Sequence, residues 1–277
     1  MTTSSPAATP IPVLSAEGAP GEVFSGAMLP LRAFALILRT PKLLLLSLAC
    51  AVVTGLTLLG SAWAAWELGG RFADWLLKDP ASGWRYAASL GLAFVSFAVI
   101  FAAFALTLPN LLLAPLQDPL SEATEARCGD FTPAPFSVGL LLTGTWTSLR
   151  HTLGRLVLMT IGTVVLLPLN LVPAVGSVAW AVTSSVWSMF WLTAEHLSNP
   201  MSRHLRPFRQ VVRTVWRRKA LSLGFGATLF VLLWVPVLNF FLMPVAVVAG
   251  TLLYRGLAAV NAFPPGNEDR SRALSVP

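Results

Sequence analysis

From Leu43 to Trp66 the chain carries no charged residue, and the run outlasts the roughly 20 residues with which an α-helix crosses a bilayer core. Tyr86 to Leu116 does the same, with length to spare for tilt. Two such runs cannot be presented to water. Composition agrees, since 55% of residues are hydrophobic and 11% are charged, against about 25% charged in soluble domains. Helices satisfy their own backbone hydrogen bonds where water is absent, so the fold class is an all-α integral membrane protein.

The segment between these runs, "ELGGRFADWLLKDPASGWR", balances Arg71, Lys78 and Arg85 against Glu67, Asp74 and Asp79, with Trp63, Trp66, Trp75 and Trp84 grouped around it. That pattern suits the external face with its aromatic belt. Arg203, Arg206, Arg209, Arg213, Arg217, Arg218 and Lys219 crowd one short loop, and Arg32, Arg39 and Lys42 precede the first span. Excess positive charge places both segments, and with them both termini, in the cytoplasm.

Two further apolar blocks, Leu156 to Thr193 and Leu221 to Tyr254, are each interrupted by proline and asparagine: Pro168, Asn170 and Pro173 in one, Pro236, Asn239 and Pro244 in the other. Proline removes a backbone donor and restricts the residue before it, and asparagine caps or turns. With cytoplasmic flanks at both ends, each block enters the membrane and returns. Two helical hairpins follow, with arms of about 15 to 25 residues, close to or short of the core thickness. Arms that stop inside the membrane need their free amides and carbonyls buried in protein or lining a watery cavity, and paired broken helices point to a solute path. Full-depth hairpins with tight external loops fit the same pattern equally well.

The organisation expected is a disordered tail over 1–23, a helical membrane domain over 24–258 and a second tail over 259–277. The spans lie at about 43–66 and 86–116, and the hairpins at about 151–197 and 221–257. The first 27 residues hold no Lys or Arg and no apolar core, unlike a signal peptide. "HLRPFRQVVRTVWRRK" sets Leu205, Phe208, Val211, Val212, Val215 and Trp216 on one arc, with Arg206, Arg209, Arg213 and Arg217 beside it. It reads as a helix lying on anionic lipid; the alternative is attraction of an anionic solute to a pore mouth. Asn199 with Pro200, and Asp118 with Pro119, have the types of an N-cap and first helical residue. Glu122 and Glu125 would then sit near a helix N-terminus, Glu125 as a cap on a solvated face. Trp180, Trp187 and Trp191 share one helical face, a stripe for packing between helices or protomers.

Enzyme chemistry finds no support. There is no phosphate-binding glycine loop, nucleophile elbow or His-Glu pair at metal-ligand spacing. Cys50 and Cys128 form no redox or metal spacing, and His151, His196 and His204 fall near span ends, where packing or hydrogen bonding is their expected role. Glu195 beside His196 is the one acid-imidazole pair near the membrane. The basic helix has an apolar face and lies between spans, which favours lipid over nucleic acid. No cofactor and no metal are expected.

The stretch "TAEHLSNPMSRHLRPFRQVVRTVWRRKALSLGFGATLFVLLWVPVLNFFLMPVAVVAGTLLY" resembles the C-terminal half of the etoposide-induced protein 2.4 domain family, whose bacterial branch includes the CysZ sulfate permeases. Carrying the resemblance are the Asn199/Pro200 turn with His204 after it, the basic helix, Gly224 and Gly226, and the second hairpin. "LLLAPLQDPLSEATEARCGD" and "LRAFALILRTPKLLLL" resemble the family's upstream segments. Coverage runs from about Phe24 to Leu257. The resemblance implies two long transmembrane helices, two hairpins that penetrate the bilayer in part, homo-oligomers, and facilitated sulfate entry for cysteine synthesis without ATP or a cofactor.

The departures bear on the substrate. Where the permeases carry Gly-Leu-Leu-Ala-Glu, this chain reads "DPLSE", keeping Leu120 and Glu122 and placing Asp118 at the glycine. Leu44 and Leu45 stand where the permeases carry an arginine pair, with Arg39 and Lys42 nearby as other sources of charge. The expected solute path involves Arg39, Lys42, Asp118, Leu120, Glu122 and Arg127. The function expected is an inner-membrane transporter or channel-like permease for a small anion; the alternative is a non-transporting scaffold that organises lipid or partner proteins.

Overall fold

The computed structural model describes residues 11–18, 20–77, 84–129, 138–173, 175–234, 236–260 and 263. Its helices are α1 (Glu22–Arg39), α2 (Pro41–Leu77), α3 (Trp84–Arg127), α4 (Val138–Leu166), α5 (Gly176–Arg203), α6 (Phe208–Arg217), α7 (Lys219–Leu233) and α8 (Pro236–Ala259), with a 3-10 turn at Leu167–Leu171. There is no strand among the described residues. Four helical segments, Pro41–Leu76, Tyr86–Phe104, Trp146–Leu171 and Leu242–Ala259, are long and apolar enough to cross a membrane. The protein is a multi-pass membrane protein.

The chain divides into two compact units, Leu48–Gln117 and the remainder. The first is a pair of helices from α2 and α3. Gly69 lets α2 approach the backbone of Ala93 and Phe97 closely, and Trp66 meets Phe97 edge-on at 6.3 Å between ring centroids. Small residues admit such contact where no hydrophobic effect drives helices together. Most of the remaining apolar surface, including Trp63, Leu59 and Phe94, faces outward, as lipid requires. Lys78, Asp79 and the side chains of Trp84 and Arg85 lie outside the described residues. Glu67, Arg71 and Asp74 do not form a loop, because α2 continues to Leu77.

In the second unit α8 is the central helix, packed against α1, α5 and α7. Every residue from Pro244 to Tyr254 is buried. Glycines set the crossings: Gly26 of α1 lies against the backbone of Leu221 and Phe225, Gly224 of α7 against Val23, Gly226 against Met189 of α5, and Gly250 of α8 against His196. Leu29, Ala33, Ile37, Phe225, Leu229 and Val248 fill the space between.

Several expectations change here. Residues 11–18 and 20–23 are not a loose tail: Leu14 is buried, Arg218 donates to the Ser15 carbonyl at 2.6 Å, and Glu22 is buried in an ion pair with Arg218. The first hairpin has a 3-10 turn at Pro168 and Asn170, with Pro173 in the bend after it. Its arms, 29 and 28 residues, exceed the expected length. In the second, α7 has 15 residues, about 22 Å at 1.5 Å per residue. Pro236 opens α8, whereas Pro244 sits buried inside it and breaks nothing; the side chains of Pro236 and Asn239 lie outside the described residues. Two expected helix starts are also absent. α3 runs through Asp118 and Pro119, and α5 through Asn199 and Pro200. A proline forfeits one hydrogen bond and strains one turn, and burial on both sides of Pro200 holds the helix through it.

Candidate functional site

The C-terminal ends of α3, α5 and α8 converge on a buried polar cluster. α5 ends in a turn in which the His204 amide donates to the Pro200 carbonyl at 3.1 Å and the Arg206 amide to the Met201 carbonyl at 2.9 Å. This is a helix-closing motif whose pivot is normally glycine, yet Leu205 holds the left-handed conformation with φ 50°. A branched residue there is strained. The turn sets Arg206 back against the core, beside Arg203 and His204 at the end of α5.

Glu125, in the last turn of α3, is fully buried and forms the centre. Arg203 donates from Nη2 to its Oε1 at 2.7 Å and to Ser121 Oγ at 3.0 Å, and from Nη1 to the Asp118 carbonyl at 3.2 Å. His204 Nε2 lies 3.2 Å from Glu125 Oε2. Burial pushes the Glu125 carboxyl up, but the His204 hydrogen bond and the Arg203 guanidinium together hold it below the ordinary glutamate range. Ser121, one turn before Glu125, shares a 2.7 Å hydrogen bond with Thr251 of α8.

A second layer is aromatic. The His204 ring stacks on Tyr254 at 4.9 Å and Tyr254 on Phe263 at 5.5 Å. Arg206 reaches Tyr254 Oη at 3.4 Å and places its guanidinium 4.9 Å from the Phe263 ring centre. His151 of α4 bonds the Arg206 carbonyl at 2.8 Å. Cations over aromatic faces are stabilised without a carboxylate. Among the described residues, the Glu125 carboxylate holds Arg203 and His204, and Arg206 lies over the rings of Tyr254 and Phe263.

The structure redistributes the sequence candidates. Glu122 is half-buried on the neighbouring face of α3, Leu120 is an apolar core residue, and the Asp118 side chain is exposed while its carbonyl serves Arg203. Arg39 and Lys42 are exposed at the α1–α2 junction, Leu44 and Leu45 beyond them are exposed, and Arg127 ends α3. None of Arg39, Lys42, Glu122 and Arg127 forms an ion pair among the described residues. Glu125 is a buried hub, which corrects its expected place as a solvated cap. Arg206 precedes α6 and is buried, so it does not share the exposed face of Arg209, Arg213 and Arg217. His204 joins the cluster; Asn199 and Pro200 hold the helix that delivers it. The missed signal is the i, i+4 spacing of Ser121 and Glu125, which sets two polar groups on one face of α3. Among the described residues no three His, Cys, Asp or Glu side chains are grouped to hold a metal.

A sequence profile described as Sulfate transporter CysZ/Etoposide-induced protein 2.4 matches residues 29–244. The chain belongs to this family. A protein named Sulfate transporter CysZ from Salmonella paratyphi A is 28% identical over 163 residues, covering 59% of this chain and 64% of that protein. The family match takes in α5 with Arg203 and His204, and the part of α3 bearing Ser121 and Glu125.

Proposed function

We propose that this protein is a permease for a small oxyanion of the sulfate type in the inner membrane of a bacterium, moving it down a gradient without nucleotide hydrolysis. The observation that carries the reading is the Glu125–Arg203–His204 cluster. A half-buried guanidinium held by the buried Glu125 carboxylate can exchange that partner for an entering anion, and its planar donors suit an oxyanion. Ser121 and Thr251 supply neutral hydroxyls beside it. A path lined mainly by hydroxyls and backbone would leave few charges in the spans. Supporting the substrate class are the family and the relative's printed name.

In this reading Arg39, Lys42 and Arg127 draw anions toward the cluster, and Asp118 and Glu122 border the path without attracting anions themselves. The turn of the second hairpin, at Pro236, lies within the membrane, as the 15 residues of α7 favour. Both termini and α6 face the cytoplasm, following the positive-inside rule. The exposed apolar faces of α4 and of the Leu48–Gln117 unit are where a homo-oligomer would assemble.

The test is uptake of radiolabelled sulfate into proteoliposomes carrying the purified protein, with sulfite, thiosulfate and phosphate as competitors, beside Arg203→Gln and Glu122→Ala. Saturable uptake lost in Arg203→Gln and weakened in Glu122→Ala is the expected result. No uptake of any of these anions above empty liposomes would replace the permease with the scaffold reading.

A further inference from the structure

The basic residues around α6 are not equivalent. Arg217 is paired with Glu17 at 2.9 Å and Arg218 with the buried Glu22. Arg209, Arg213 and Lys219 are exposed and have no ion pair among the described residues. Beside them lies a shallow, half-open cleft between α5 and α6, lined by Trp187, Phe190, Trp191, Val212, Val215 and Trp216.

The groove is built of aromatic surfaces. Phe190 of α5 stacks on Trp216 of α6 at 5.5 Å, and Trp187 meets Trp191 edge-on at 5.4 Å. Lys219 Nζ lies 5.8 Å from the Trp216 ring centre, at the rim. At 100° per residue, Arg209 and Arg213 project about 20° and 60° from the direction of Trp216 around α6. An apolar slot is therefore flanked by three cations with no ion pair among the described residues, while Arg217 and Arg218 already have carboxylates.

We propose that this groove is a binding site for an anionic phospholipid, with one acyl chain along the Trp187–Trp216 slot and the phosphate held by Lys219, Arg213 and Arg209. The complement of charge selects the occupant: a peptide or second copy would have to bring matching carboxylates, whereas an anionic lipid joins a chain and a phosphate in the order in which slot and cations occur. Tryptophan at the slot suits the headgroup boundary, where one end of the ring is apolar and the other wet. α6, which continues without a break in sequence into Lys219 and α7, is thereby tied to the bilayer at one defined lipid.

Quenching of tryptophan fluorescence by lipids brominated on their acyl chains tests this in reconstituted bilayers of the full chain. The Trp216 contribution is the difference between the native protein and Trp216→Phe. At equal mole fraction, brominated phosphatidylglycerol is expected to quench it more than brominated phosphatidylcholine. Lys219→Gln and Arg213→Gln each reduce that preference about fivefold, the effect of one basic residue at an anionic surface. These two side chains are exposed, so their loss leaves the fold intact, and an unchanged thermal unfolding midpoint verifies it. Arg32→Gln, the same charge loss on α1, leaves the preference in place. Equal quenching by both lipids, a preference that survives Lys219→Gln with Arg213→Gln, or an equal loss in Arg32→Gln would overturn the site.

Discussion

Helices α4 and α8 are both apolar enough to span a membrane, yet they inhabit different solvents. α8 is enclosed on all sides from Pro244 to Tyr254, whereas α4 buries His151 and then no residue from Thr152 to Leu166. The contrast lies in side-chain size. α8 carries Ala246, Ala249, Gly250 and Thr251 where neighbours cross, so α5 can approach until the His196 carbonyl meets Gly250. α4 carries Leu153, Leu156, Val157, Met159 and Ile161 on exposed faces. A helix that is apolar all round is satisfied by protein or by lipid, and what decides is whether its surface admits another backbone.

The largest break in that contrast is a branched side chain at Gly250. A Cβ there overlaps the backbone of α5 at His196, which no rotamer change relieves. Gly250→Val is expected to lose more than about 4 kcal/mol, the range of severe core disruption, and to fail as a monodisperse species in detergent. A native elution profile would show that α5 is not wedged against α8.

Removing the charge at the hub comes next. Glu125→Ala removes the buried carboxylate that Arg203 and His204 share, and breaking such a pair costs about 3 kcal/mol. Glu125→Gln, which keeps an acceptor oxygen for Arg203 and the volume of the side chain, loses less. Thermal unfolding in detergent measures both, and equal midpoints for alanine and glutamine would mean that packing rather than hydrogen bonding sets the effect.

The same carboxylate gives a pH test. Its folded value lies below the ordinary one, so its contribution is complete above the unfolded glutamate pKa near 4.3 and is lost as pH falls through the folded value. Unfolding midpoints of the native protein should hold at neutral pH and drop below about pH 4, with Glu125→Gln lacking that part of the drop. Parallel curves would assign the acid loss to other carboxylates.

How much of this was legible in the sequence follows from the same physics. Uncharged length revealed the spans and the first hairpin turn, because lipid forbids charge and open backbone alike. Depth of burial was not legible: Pro119 and Pro200 have the local chemistry of helix starts, but the surrounding helices hold α3 and α5 continuous through them. Glu125 was misplaced for a related reason. Local reading assigns an acid near a charged segment to solvent, and only the packing of the α5 end brings Arg203 and His204 against it across more than 75 residues of chain. Arg206 and Arg218 were read as surface charges because a run of arginines does not disclose which of them Tyr254 and Glu22 will cover.

The smallest effect belongs to α4. Gly144 lies in its helical interior with no atom within 4 Å of where a Cβ would stand, so nothing opposes a methyl group there. Alanine is the better helix former by about 1 kcal/mol, chiefly because glycine loses more backbone freedom on folding. Gly144→Ala should therefore raise the unfolding midpoint slightly in detergent, where the same class of change at Gly250 lowers it. If Gly144→Ala instead weakened the protein or changed its oligomeric mass, that stretch of α4 would be in contact with another copy of the chain rather than with lipid.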